Sequence, residues 1–359
     1  MIEKRISEIL KGFSEKDVRK EIKKNNIKIR RRKSEKRFVK ELKKFEESKA
    51  IFVTDKGFAG EYLKKQGICK IFFLEREDLK NVNKCKIYAH NQRAKIIIGF
   101  GGGRALDIAK KVAFDTERKL ILIPTAPSHN GLISRTASLF DNGKKKSFLC
   151  KFPKKVIIPF FLWKIAGRHI KAGILDVLAS ITAVQDVFLS HSKTGEAIKE
   201  KELKLALFGV KKVINIKRLK DLETALICGG LAMKESSRYC SGSEHEAEKI
   251  IAEKFKEYMH GEIVGVCSLI VAKIYSEKIK QNLIFDSSEL FEDLVKIYKK
   301  TSVISVVKEI LENQKFVDEA SKSLKIVDTI RPERFTLWNV VNPKEINFKK
   351  LILEIKENL

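Results

Sequence analysis

Residues 96–107 read Ile96-Ile97-Ile98-Gly99-Phe100-Gly101-Gly102-Gly103-Arg104-Ala105-Leu106-Asp107. An apolar run enters a cluster of glycines, and a helical pattern, Ala105–Phe114, leaves it. Glycine at such a turn lets phosphate oxygens approach the backbone. The helix that follows offers unpaired N–H groups and the positive end of its dipole. In physical terms this is a pyrophosphate cradle. It is neither the G-x-G-x-x-G fingerprint, since position 104 is Arg, nor a P-loop, since no Lys-Ser/Thr pair follows. Taken alone, the stretch is also compatible with a plain tight turn between strand and helix.

The flanking sequence repeats the alternation. Ala50–Thr54, Lys70–Leu74 and Lys95–Phe100 read as short apolar strands, and Leu120–Ile123 is another that ends at Pro124. Helical stretches lie between them, which predicts a parallel sheet. Ala137–Phe140, the turn Asp141-Asn142-Gly143 and Ser147–Cys150 predict a hairpin. Val156–Pro159 predicts a last strand. Beyond about residue 165 strand signals become scarce. Helical patterns cover Gly173–Leu189, Ala197–Val213, Leu219–Met233, His245–Tyr258, Gly261–Ile274, Ser287–Lys299 and Val303–Asn313. The expected organisation is a basic helical extension over 1–49, an α/β domain over 50–164 and a helical domain over 165–359.

A chain of 359 residues with 43% hydrophobic content can bury a sizeable core, so disorder as the main state is excluded. The six cysteines are scattered without a C-x-x-C pair. This disfavours a zinc ribbon or a disulfide-stapled fold and fits a reducing compartment. No apolar run such as Val156–Trp163 reaches membrane-span length, and no signal peptide is visible, so the expectation is a cytoplasmic protein. The formal net charge is +28, and residues 1–50 hold 19 Lys/Arg against 9 Asp/Glu. Such a charge steers anionic ligands. Nucleic-acid binding is not the expected role, because no aromatic interleaving or known binding motif accompanies the basic run Lys28–Arg37.

Two further constellations carry polar chemistry. Pro124-Thr125-Ala126-Pro127-Ser128-His129-Asn130-Gly131, running on to Ser134, follows a buried strand and so lies at the carboxyl edge of the sheet. Ligands of open α/β sheets bind at that edge. A polar loop with a local side-chain turn is the simpler alternative. The second begins at Ser241-Gly242-Ser243-Glu244-His245. His260-Gly261-Glu262 lies further on, and Asp176 sits upstream in the apolar segment Ile174–Leu178. One carboxylate and two imidazoles with an open position suit catalytic zinc or ferrous iron. Helix caps and a buried ion pair are the alternative.

Jointly, these segments resemble the sn-glycerol-1-phosphate dehydrogenases of archaea. They belong to the superfamily of glycerol dehydrogenases, iron-containing alcohol dehydrogenases and dehydroquinate synthases. The resemblance covers about Ala50 to Ile270. It is carried by Gly99–Lys110, Pro124–Ser138, and above all Ser236-Ser237-Arg238 with Ser241-Gly242-Ser243-Glu244-His245. It implies an α/β dinucleotide-binding domain with a parallel sheet, followed by an all-helical metal-binding domain, as in dehydroquinate synthase. The implied reaction is NAD(P)H-dependent reduction of dihydroxyacetone phosphate to sn-glycerol 1-phosphate, a step towards ether-lipid backbones. The coenzyme positions map to the turn Gly101, Gly102, Gly103 and Arg104, then Ala105, Leu106 and Asp107, then Thr125, Ala126, Pro127, Ser128 and Ser134. Zn2+, with Fe2+ as the alternative, maps to Asp176, His245 and His260.

Substrate positions map to Asp176, Asn130 and Lys249. The last two depart from the family, which usually has Asp and His there. Leu175 replaces a glycine before the metal Asp, and Tyr239 replaces the proline of S-S-R-P. A homo-oligomer acting on a phosphorylated small molecule is expected. A related polyol dehydrogenase, a dehydroquinate-synthase-like lyase and a non-catalytic paralogue with a nucleic-acid-binding arm are the competing readings.

Overall fold

Five apolar runs and one cationic run lie side by side as a single parallel sheet. The computed structural model describes all 359 residues. The strands are β1 (Lys28–Arg32), β2 (Ala50–Thr54), β3 (Ile71–Phe73), β4 (Ile96–Gly101) and β5 (Lys119–Pro124), then the antiparallel hairpin β6 (Thr136–Asp141) and β7 (Lys144–Leu149), and β8 (Lys155–Pro159). The six-stranded sheet has the order β1-β8-β5-β4-β2-β3. Strands β2, β4, β5 and β8 are almost wholly buried, as expected for strands covered by helices on both faces. The hairpin turns on Asn142 and Gly143, both at positive φ, the geometry favoured by a two-residue connection.

The first seven helices are α1 (Ile2–Ile9), α2 (Glu15–Lys24), α3 (Glu35–Glu47), α4 (Phe58–Lys65), α5 (Leu79–Asn91), α6 (Gly103–Asp115) and α7 (Phe160–Trp163). Residues 15–170, with 233–235, form the α/β unit. Residues 1–14, 171–232 and 236–359 form a helical unit. The expected helical extension over 1–49 is therefore corrected. Its first turns, through Ser14, join the helical unit, and the rest builds the α/β unit. The cationic run is β1, paired in register with β8 from Lys28↔Lys155 to Arg32↔Pro159. Phe38 and Leu42 of α3 lie in the same buried cluster as Phe52, Ile98, Phe100 and Ile157. Edge strands are often charged, which discourages further strand addition, and that charge hides β1 from an apolar-pattern reading.

The helical unit continues with α8 (Arg168–Leu178), α9 (Ser180–Thr194), α10 (Glu200–Ile214), α11 (Leu219–Ala232), α12 (Ser243–Ala252), α13 (His260–Lys278), α14 (Leu290–Lys300), α15 (Ile304–Glu312), α16 (Gln314–Ser323) and α17 (Phe348–Asn358). The expected helix 173–189 is two helices meeting at Ala179. The expected helix 245–258 stops at Ala252. Residues 168–194 reach membrane-span length, and their most apolar 18-residue window has a mean hydropathy of 1.6, yet 94% of that window is buried inside the protein. The run is apolar because it is core.

Candidate active site

Strand β4 delivers the glycine turn to the carboxyl edge of the sheet. Gly101 has φ +138°, a backbone conformation that side chains resist. Gly102 precedes the first turn of α6, leaving the helix N-terminus without a side-chain cap. A Cβ on Gly103 would sit 2.9 Å from His129 Nε2, so glycine there lets the 125–134 loop fold onto the turn. His129 Nδ1 in turn accepts the Gly131 N–H at 2.8 Å, and Thr125 N–H donates to the Gly101 carbonyl. The two sequence-predicted segments thus meet.

Within them the roles divide. Gly102, Gly103, Arg104, Thr125, Ala126 and Ser128 keep exposure, whereas Ala105, Leu106, Pro127 and Ser134 are buried. Asp107 spends one carboxylate oxygen on Lys110 (2.9 Å) and the other on the Ser138 N–H (3.0 Å). Lys110 is fully buried and also donates to the Gly131 and Thr136 carbonyls and to Ser134. Asp107 and Ser134 therefore shape the loop from beneath. Lys110 is the organising residue that sequence reading missed; its signal was a lysine inside the apolar face of α6. Asp55, just past β2, is a second omission, lying 3.8 Å from the Arg104 guanidinium.

The helical unit gathers the metal-like residues. Asp176 comes from α8, His245 from the first turn of α12, and His260 opens α13. Asp176 Oδ1 lies 3.5 Å from His245 Nε2 and 3.4 Å from His260 Nε2, and the three ligand atoms fall within 4.8 Å of one another. Two bonds of about 2.1 Å at a tetrahedral angle separate their ligand atoms by roughly 3.4 Å, so the spacing suits a zinc-sized ion. Each imidazole is fixed from behind: His245 Nδ1 lies 2.8 Å from Glu244, and His260 Nδ1 lies 2.8 Å from Glu248. Carboxylates at Nδ1 set the tautomer and leave both Nε2 atoms facing Asp176 Oδ1, an arrangement like the outer one of metal-bound histidines. Glu244 and Glu248 were not predicted from sequence, although Glu-His at 244–245 was in plain view.

Charge follows the geometry. Burial alone would raise the Asp176 pKa, but hydrogen bonds from both histidines outweigh it and hold the group well below the carboxylate range. Burial would lower His260, yet Glu248 and Asp176 push it up to about 10, and His245 is raised by the same kind of contact. His260 is 40% exposed while Asp176 is 3% exposed, so the open side of the triad is at His260.

Close packing brings these residues together. A Cβ on Gly261 would lie 2.7 Å from the Ala172 carbonyl carbon and closer still to its oxygen, so glycine lets α13 seat directly on α8. A Cβ on Gly265 would lie 2.6 Å from Leu175. The leucine that replaces the family's glycine thus occupies space left by another glycine. The start of α12 is pinned by Asp186, which accepts from Ser243 N (2.6 Å), Ser243 Oγ (2.7 Å), Tyr275 and Leu337 N. Trp338 donates to the Ser243 carbonyl, and Thr336 donates to Glu246. Arg238 holds Glu196 in a two-pronged pair and reaches the Phe335 carbonyl. The tail after residue 280, for which the sequence offered no motif, locks the start of α12 in place.

The profile of the iron-containing alcohol dehydrogenase family matches residues 54–160. A glycerol-1-phosphate dehydrogenase [NAD(P)+] from Thermococcus sibiricus is 32% identical over 77% of this chain and 79% of its own length. One from Metallosphaera sedula is 34% identical over 75% and 77%. The chain belongs to the glycerol-1-phosphate dehydrogenase family. A probable glycerol dehydrogenase from Sinorhizobium meliloti shares the fold, with a TM-score of 0.64 at 16% identity, covering 92% of this chain and 96% of that one. Within the glycerol-1-phosphate dehydrogenase family frame, Asn130 is buried in the 125–134 loop and Lys249 is half-buried on α12, one turn beyond His245.

Proposed function

We propose that this protein reduces dihydroxyacetone phosphate to sn-glycerol 1-phosphate with NADH or NADPH, using a divalent metal held by Asp176, His245 and His260. The observation that carries the reading is the carboxylate-backed Asp-His-His triad in a chain whose relatives bear that activity. Zinc and ferrous iron both suit the donor set. When bound, the ion would act as a Lewis acid on the substrate carbonyl, and the reduced nicotinamide would supply the hydride.

The chain's own residues have separable tasks. Gly101, Gly102 and Gly103 present backbone and a helix N-terminus to the coenzyme's pyrophosphate, and Arg104 adds a cation beside it. Thr125, Ala126 and Ser128 line the same edge. Ala105, Leu106, Asp107, Pro127 and Ser134 hold the shape of that edge from beneath. Glu244 and Glu248 hold the imidazoles in the ligating tautomer. Lys249 supplies a point charge suited to a phosphate, and Asn130 supplies hydrogen bonds where the family carries a charge.

The test follows nicotinamide absorbance with dihydroxyacetone phosphate, before and after zinc loading, with unphosphorylated dihydroxyacetone as control. Zinc-dependent oxidation with the phosphorylated ketone alone is the expected result. Bound zinc without turnover would assign a different substrate. Absence of both zinc binding and turnover would refute the catalytic reading.

A further inference from the structure

A cavity of about 940 Å³ opens in the α/β unit at the end of the sheet opposite the glycine turn. Strands β1, β8 and β5 are neighbours, and Lys28, Lys155 and Lys119 stand at their starts. The coenzyme positions lie past the ends of β4 and β5, so this is a different place in the fold. One acid, Glu117, lines the cavity. Lys28, Arg118, Lys119, Lys151 and Lys154 line it with no carboxylate at ion-pair distance, unlike Lys155 and Arg30, which share Glu41. Cations gathered this way repel one another, and a multivalent anion relieves the repulsion.

Two aromatic walls complete the site. Phe114 is 38% exposed, with Lys151 Nζ 5.9 Å from its ring centre, and the Arg135 guanidinium lies 5.9 Å from Phe152. The volume is that of a small-molecule pocket. A long polyanion would need a continuous basic track. Here the basic run is taken up by β1 (Lys28–Arg32), and Arg30 and Arg32 are both tied to Glu41 on α3.

We propose that this cavity is a second anion site, which receives a polyphosphate chain of nucleotide size through Lys28, Lys119, Lys151 and Lys154. The carrier is a nucleoside triphosphate or free inorganic polyphosphate. The phosphate chain is the shared chemistry, and Phe114 with Phe152 would favour the nucleotide.

The full-length protein, with NADH saturating the coenzyme site, is titrated calorimetrically with ATP and separately with sodium tripolyphosphate. One site per chain is expected. Tighter ATP binding identifies the nucleotide as carrier, and equal binding identifies the free chain. Lys151→Glu with Lys154→Glu should weaken binding at least about 10-fold, given the strength of charge-assisted hydrogen bonds. The melting midpoint and the reductase rate should be unchanged, and Lys278→Glu on α13 should have no effect. Four results would overturn the site: no binding of either anion, displacement of the anion by NADH, indifference to the lysine reversals, or retention only of single-stranded RNA or anionic vesicles.

Discussion

Gly261→Ala puts the smallest possible perturbation at the point where Asp176, His245 and His260 are brought together. The added methyl would fall 2.7 Å from the Ala172 carbonyl carbon, whereas ordinary contact begins near 3.4 Å. Both neighbours are helix backbone, so no rotamer change relieves the overlap. α13 must retreat from α8 by about 0.7 Å at that atom, and roughly 1 Å once the closer oxygen is cleared. His260 is the preceding residue and Asp176 lies four residues beyond Ala172, so the retreat opens the His260–Asp176 separation directly. Metal sites tolerate about 0.2 Å of ligand displacement, and a misplacement of about 1 Å can cost roughly 100-fold.

The expected result is at least about 100-fold weaker zinc binding, or roughly 2.7 kcal/mol. Overpacking should add a stability loss of about 1–3 kcal/mol. Chelator competition on the intact protein reads the first, and thermal melting reads the second. Gly209→Ala separates the two effects, since its Cβ would lie 3.0 Å from the Ala225 carbonyl oxygen in the α10–α11 contact. It should lower the melting point without changing zinc affinity. Wild-type zinc binding by Gly261→Ala would refute the claim that this helix contact sets the triad.

Other expectations follow from individual contacts. Glu248→Ala removes the acceptor behind His260 and should weaken zinc binding about 10- to 100-fold; chelator competition reads this, and Glu248→Gln, which keeps a carbonyl acceptor, should lose less. Leu175→Ala should cost about 2–5 kcal/mol in denaturant titration. Adding Gly265→Ala should recover part of that cost, with a coupling of at least about 0.5 kcal/mol, because its methyl fills the space Leu175 leaves. Burial would raise the Glu196 pKa, but its bonds to Arg238 outweigh this and lower it. The pair's stabilisation is therefore complete above the unfolded carboxylate pKa and is lost as pH falls through the depressed value. Wild type should melt above Glu196→Gln at neutral pH and converge with it in acid. The gap should stay below about 1 kcal/mol, since Glu196 is one-third exposed.

What the sequence made legible was local. Ile96–Gly103 declares a strand, a turn and a helix within a few residues, and Asn142-Gly143 declares a hairpin; each is a short-range steric fact. β1 was not legible because Lys28–Arg32 satisfies its sheet partner through the backbone while its side chains carry charge. The break at Ala179 was hidden because the sequence is apolar on both sides of it. Asp176, His245 and His260 stood out as one carboxylate and two imidazoles, a set the resemblance also implies, but the contacts that place them are long-range. Thr336, Leu337 and Trp338 hold α12 from some ninety residues away, and no spacing rule links such positions. Leu175 showed as a departure from the family, while Gly265, the residue that accommodates it, became meaningful only when the two helices were seen touching.

The charge balance of the triad carries the argument for a divalent ion one step further. Asp176, Glu244 and Glu248 put three carboxylates around two imidazoles in a largely buried pocket. An uncompensated buried carboxylate is strongly unfavourable. Without an ion, the compensation must come from protons on the imidazoles, and the neighbouring carboxylates accordingly raise the pKa of both His245 and His260. Two protonated imidazoles supply the same positive charge as one divalent cation with both imidazoles neutral. A buried ion pair built for structure alone needs only one cation for Asp176 and no acceptor behind each ring. Backing both rings with carboxylates, and pointing both Nε2 atoms at the same oxygen, concentrates negative potential on one spot near an exposed face. Such a spot suits a divalent ion.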